Sequence, residues 1–144
     1  MAKLSQTNFP NLIEFRSSLN NLEASGDYLE LNIVENSVGV GACLGYDING
    51  DIVLTNTEDS TSLVICTFLA LETGTGNKKV LSRGLIRNDS WSLSPGKPVY
   101  LDNSSQGLFT TVEPSIVGDL VQIIGVSISS NIILFDPDKT WLRL

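Results

Sequence analysis

From Tyr28 to the C-terminus the apolar positions fall in short β-type runs, not at helical spacing. "YLELNIV", "DIVLTN", "SLVICTFLAL", "KVLSRGLI", "PVYL", "LFTTV", "LVQIIGVSI" and "IILF" are rich in Val, Ile, Leu, Thr and Tyr, and clusters of Gly, Asn, Asp, Ser or Pro bound them. Eight such runs predict a mainly β fold, a single antiparallel β-barrel or sandwich-like domain. The first 27 residues differ in texture. Leu12, Phe15, Leu19 and Leu22 recur at i, i+3, i+7 and i+10, with Asn11 as N-cap and Glu14 three residues on, which is the pattern of one short helix. Ser17, Ser18, Asn20 and Asn21 are mediocre helix formers and leave a partly extended arm open. The expected organisation is an N-terminal arm or short helix over residues 1–27 and a β-rich domain over 28–144.

Turn chemistry sharpens the β reading. Asn49-Gly50 is the preferred pair for a two-residue type I′ hairpin between "LGYDI" and "DIVLT". In "SPGK", Pro95 presets φ for the second position of a turn and Gly96 accepts the positive φ of the third, the type II signature. "GDYLEL" at Gly26, "GDIVL" at Gly50 and "GDLVQI" at Gly118 each read as a Gly-Asp turn leading into a strand, at intervals that give no fixed repeat. Glu113-Pro114 ends the run Leu108–Val112, because proline cannot donate to a ladder.

A chain of 144 residues suits one domain with a real core. Charged residues are 17% of it, below the usual quarter, so Ser, Thr and Asn supply much of the polar surface. There is no run of 18 apolar residues and no continuous apolar segment near the N-terminus, so a non-secreted soluble product is expected. Cys43 and Cys66 lie inside apolar runs; this favours buried free thiols over a disulfide, which the sequence leaves open.

The net charge of −7 is unevenly distributed. From Ser17 to Asn77 there are nine acids and no Lys or Arg, while the rest of the chain carries all nine bases. Without a basic patch carrying interleaved aromatics, nucleic acid is a poor partner. The acidic stretch is either a solvated face or an electrostatic docking surface.

Chemistry is scarce. With no histidine, Ser–His, Cys–His and His–metal sites are impossible. Asp47, Asp51, Glu58 and Asp59 crowd together, but nothing sets two of them facing each other in an apolar pocket. Counted from Asp47, Asn49, Asp51 and Glu58 match the oxygen-ligand spacing of an EF-hand loop; Ile52 stands where that loop needs glycine, so the hairpin reading prevails. "TGTGNKK" lacks the spacing of a phosphate loop and reads as a hairpin tip. No enzyme, cofactor or metal is expected. Tyr46, Trp91, Tyr100 and Trp141 could stack on sugars, but each adjoins a strand run and is better read as core or interface.

Trp91 before a Ser-Pro-Gly turn, "GKPVYLD", "QGLFTT", "EPSIVGDLVQIIGVSI" and the closing "IILFDPDKTW" resemble the β-rich structural modules of tailed bacteriophages, found in head decoration (cement) proteins, head fibres and some tail-fibre components. The resemblance covers about residues 38 to 144. It implies a non-enzymatic virion protein that decorates and stabilises the outer surface of an expanded phage head, assembled in the host cytoplasm. Its implied partners are the major capsid protein and further copies of itself, most often as a trimer, with neither nucleic acid nor membrane. A receptor- or glycan-binding module of a head or tail fibre is the alternative. An N-terminal arm reaching over capsid subunits is common in such proteins, and Phe9, Leu12, Ile13, Phe15 and Arg16 are the candidate capsid contacts. Equally open is a stripe of Leu12, Phe15, Leu19 and Leu22 packed on the domain itself.

Overall fold

The computed structural model describes residues 19–36, 38–58 and 61–144. Among these there is no helix. The strands are β1 (Ala24–Ile33), β2 (Cys43–Tyr46), β3 (Ile52–Leu54), β4 (Phe68–Ala70), β5 (Gly76–Arg87), β6 (Pro98–Leu101), β7 (Phe109–Thr110), β8 (Leu120–Val121), β9 (Ile123–Ser129), β10 (Ile132–Phe135) and β11 (Leu142–Arg143). Nine form one sheet in the order β1-β3-β2-β4-β5-β10-β9-β6-β7, and β8 pairs with β11 in a second, two-stranded sheet.

The twelve-residue β5 is the spine. β1 pairs antiparallel along its whole length, while its other edge carries β4 at Val80 and Leu81 and then β10 from Gly84 to Arg87. The mainly β expectation therefore holds, but the sheet is not a closed barrel. A single parallel pair, Ile33 with Ile52, links β1 to β3, and beyond β5 the sheet runs on through β10, β9 and β6 to β7. That pair is also the exception to antiparallel pairing. Side chains on the two faces of β5 explain the layout: Leu81 and Ile86 join the main core with Cys43, Leu69, Val99, Leu101, Ile124 and Phe135. Val80 turns the other way, into a second cluster with Ile33, Leu44, Ile52 and Phe68.

Several local expectations change in instructive ways. "SLVICTFLAL" yields only the short β4, together with an isolated bridge between Asn56 and Val64. The segment between them crosses tightly over β2, where a Cβ on Gly45 would lie 1.9 Å from the Ile65 carbonyl oxygen. The Asn49-Gly50 hairpin forms, but with a three-residue loop. Gly50 N–H donates to Asp47 C=O at 3.1 Å, Asp47 N–H donates to Asp51 C=O at 2.9 Å, and only Gly50 has positive φ. This is a type I turn followed by a left-handed glycine. Gly26 lies not in a turn but within β1, facing Gly84, just before a register shift between Asp27 and Tyr28. The two glycines let the backbones meet where a Cβ on Gly26 would sit 2.3 Å from the Arg83 oxygen. The sheet consequently starts at Ala24, ahead of the expected boundary at Tyr28.

The charge asymmetry acquires a meaning from topology. β5 carries four of the nine bases, Lys78, Lys79, Arg83 and Arg87, and β1 comes from the acidic stretch. Antiparallel register then sets Asp27 opposite Arg83 and Glu30 opposite Lys79, a favourable cross-strand arrangement. The segregation along the sequence becomes pairing across the sheet.

Leu19 is buried against Leu85 and Ile132. The following turn, closed by Glu23 N–H to Asn20 C=O at 3.1 Å, leaves Leu22 exposed with φ of 65°. Leu19 and Leu22 therefore do not share a helical stripe. Arg87 ties this entry down, donating to Leu19 C=O at 2.7 Å while its other nitrogens grip Asp89. The Asp89 carboxyl is held below the ordinary carboxylate range by Arg87 first and then by Asn131.

Cys43 and Cys66 are free and buried in the main core. Burial pushes the Cys43 thiol well up, and Cys66 beside it adds to the shift. Neither thiol is expected to react with a thiol reagent such as DTNB in the native protein at neutral pH, and both should react once denaturant is added. Rapid native labelling would contradict this packing.

Candidate docking surface

The exposed apolar side chains concentrate where the chain leaves β7 and where it ends. After Thr110 the backbone has no ladder partner until Leu120, and Pro114 removes one donor from the stretch. Val112, Ile116 and Val117 stand out from this loop at 73%, 71% and 91% exposure. Asp119 holds the loop in shape: its carboxylate accepts the Ile116 N–H at 3.2 Å, and its own N–H donates to Ile116 C=O at 2.9 Å. Val112 and Ile116 line a groove of about 340 Å³ together with Leu101, Thr110 and Pro114.

The C-terminal strand continues this surface. Gly118 N–H donates to Leu144 C=O at 2.7 Å and Leu144 N–H to Asp119 C=O at 2.9 Å, so the last residue lies against the loop tip. Leu142, on β11, and Leu144, just beyond it, are both exposed. Arg143 points the other way, donating to Gly118 C=O at 2.9 Å and Thr57 C=O at 3.1 Å. The result is a preformed apolar rim held by backbone hydrogen bonds.

Two amides, Gln122 buried and Asn103 half-buried, brace this end of the molecule. Gln122 accepts the Cys66 N–H at 2.8 Å and donates to Cys66 C=O at 2.9 Å and Asp138 C=O at 2.7 Å. It acts as one rung of a ladder, linking the crossover over β2 to the segment leading into β11. Asn103 does the same for Leu120, with bonds of 2.9 and 2.8 Å to its carbonyl and N–H.

A second concavity, about 630 Å³, lies between residues 39–42 and the strand-entry segments 90–94 and 106–112. Trp91 lines it, packed edge-to-face on Phe109 with ring centroids 4.9 Å apart and pressed on Gly41, where a Cβ would sit 2.5 Å from the indole. Ser90, Ser92, Ser94, Gln106, Thr110 and Thr111 supply polar groups around it. The neighbouring SPGK turn has the expected positive φ at Gly96, and the buried Ser127 braces it, donating to Ser94 C=O and accepting the Lys97 N–H at 3.2 Å.

The candidate sugar-stacking aromatics do not converge. Tyr100 is buried, and burial together with Glu113 raises its pKa. Tyr46 packs edge-on to Phe68, Trp141 is exposed near the C-terminus, and of the four only Trp91 lines the larger groove. Asp47 spends its carboxylate on its own hairpin, accepting the N–H groups of Asn49 and Asp51 at 2.8 and 2.9 Å. Phe9, Leu12, Ile13, Phe15 and Arg16, the candidate arm contacts, lie outside the described residues, as does Asp59.

In the sequence Val112 closes the run "LFTTV" and Ile116-Val117 falls within "EPSIVGDLVQIIGVSI", and neither is assigned a docking role there. The missed signal is the apolar pair Ile116-Val117 between Pro114 and Gly118, where turn chemistry forbids a strand that could bury it. The chain matches no protein-family model, and no curated protein or solved structure matches it.

Proposed function

We propose that this protein works by attachment and not by catalysis, as a decoration protein on the outer surface of an expanded tailed-phage head. The observation that carries the attachment reading is the apolar rim: Val112, Ile116 and Val117 are held in a fixed loop with their side chains in water. Exposed apolar clusters of this kind mark interaction sites. The phage-head form of the reading is supported by the sequence segments from Trp91 to Trp141 that resemble such modules. A protein that binds the expanded shell and not its precursor stabilises the expanded state by mass action, with no chemistry required.

Quantitative mass spectrometry of purified virions tests this reading. A decoration protein is expected in many copies at a fixed ratio to the major capsid protein. A handful of copies per virion would point to the fibre reading, and none would overturn both.

The groove at Trp91 favours one alternative, a glycan-binding module of a phage fibre. An indole beside hydroxyls and an amide suits stacking on a sugar ring with polar contacts at its edge. A glycan array separates the two readings: saturable binding of one glycan class that Gln106→Ala weakens would support the fibre module, and a blank array would remove it.

A further inference from the structure

We propose that β1 is a self-complementary edge through which two copies of this chain join their sheets, with Leu29 on the two-fold axis. Among the described residues, β1 is paired by β5 on one side, but its other side meets only β3, at Ile33. Tyr28 and Leu29 are 59% and 47% exposed, one on each face of the strand. The edge has apolar groups on both faces and neither lysine nor proline; its charges are Asp27 and Glu30, and its register shift at Asp27/Tyr28 lies at the N-terminal limit of the open stretch.

The hydrogen-bond parity of that edge is fixed by two independent observations. Val34 N–H donates to Ile52 C=O at 3.3 Å, so even-numbered residues near the end of β1 direct their backbone groups to the β3 side, away from β5. On β5, Lys79 directs its own groups away from β1: its N–H goes to Glu72 at 2.6 Å and its C=O accepts Leu71 N–H at 3.0 Å. Its partner Glu30 is therefore a non-hydrogen-bonded position toward β5, and the backbone groups of Tyr28 and Glu30 face the open edge.

An antiparallel copy must set outward-facing residues opposite one another, which restricts the two-fold axis. Centred on Glu30, the pairing would face Glu30 with its own copy and run into β3. Centred on Tyr28, it would straddle the register shift at Asp27/Tyr28. Centred on Leu29, it sets Tyr28 opposite the other copy's Glu30 twice over, giving four backbone hydrogen bonds. It also packs Leu29 on Leu29 and ends where β3 begins on both sides. Charge agrees with this register. Lys79 Nζ lies 5.6 Å from the centre of the Tyr28 ring, so each Glu30 would meet a lysine of the opposite copy.

The contact is isologous and yields a dimer, not the trimer that the phage resemblance implies. A short edge contact buries little area and is expected to be weak and concentration-dependent. Sedimentation equilibrium of the full chain over a dilution series up to about 1 mM, paired with amide hydrogen exchange, tests it. A monomer–dimer equilibrium is expected, with the Tyr28 and Glu30 amides gaining protection as the dimer fills. Glu30→Pro removes an N–H that β5 does not use, so apart from the small loss of the Lys79 pairing it should leave the monomer folded, and it should weaken dimerisation at least tenfold. Leu29→Lys should do the same by placing two lysines face to face. A monomer throughout, a trimer, or a dimer in which those amides stay unprotected would overturn the proposal.

Discussion

Gln122→Leu is expected to destabilise the domain by about 3 kcal/mol and lower its melting temperature by roughly 10 °C, although the two side chains differ little in volume. Gln122 is 1% exposed, and its amide satisfies three backbone groups: the Cys66 N–H, the Cys66 C=O and the Asp138 C=O. Leucine would leave all three without that partner in a region closed to water, and orphaning a buried polar group costs about 1–3 kcal/mol. Carbonyls tolerate this better than an N–H, which places the sum near the lower part of the possible range. Urea denaturation gives the free energy, and the rate of Cys66 labelling gives a local readout. The crossover carrying Cys66 should open first, so labelling should accelerate more than global unfolding predicts. A change below about 0.5 kcal/mol would mean that the amide is not the bridge described here.

The second large effect concerns attachment. Ile116→Asp with Val117→Asp should leave the melting temperature within about 2 °C of the parent, because surface substitutions are usually worth within about 0.5 kcal/mol. The same double variant should weaken head binding at least a hundredfold, since truncating a few central anchors commonly removes several kcal/mol of an interface. Both side chains are well exposed, whereas the loop's own stability comes from Asp119 and from Gly118 against Leu144. Multivalent attachment could mask a small loss on an intact shell, so pelleting is done across a dilution series. Unchanged binding by the folded double variant would move the docking site elsewhere, with the arm residues Phe9 to Arg16 next to be tested.

How far the sequence alone carries the reader varies with the physics of each element. Strands with local bounds were legible: PVYL became β6 and IILF became β10 in full, because turn residues fence both ends. The long apolar run from Ser62 to Leu71 was not, because its fate depends on Gly45 lying beneath Ile65 and on an amide 56 residues away at Gln122. The hairpin at Asn49-Gly50 was placed correctly and its loop length missed, since Asp47 recruits two N–H groups and adds a residue. β11 and the pairing of Leu142 with Val121 depend on long-range closure that no local pattern announces. The apolar rim is intermediate: Pro114 and Gly118 mark Ile116-Val117 as lying outside a strand, and the fold adds that no described residue buries them.

Cosedimentation with purified heads tests the central claim most directly. The full chain is mixed with undecorated expanded heads and with unexpanded precursors of the same phage, and bound protein is quantified after pelleting. Saturable binding to expanded heads, at a fixed ratio to capsid subunits and with little binding to precursors, is the result the attachment account predicts. Absence of binding to expanded heads, or equal binding to both, would contradict it.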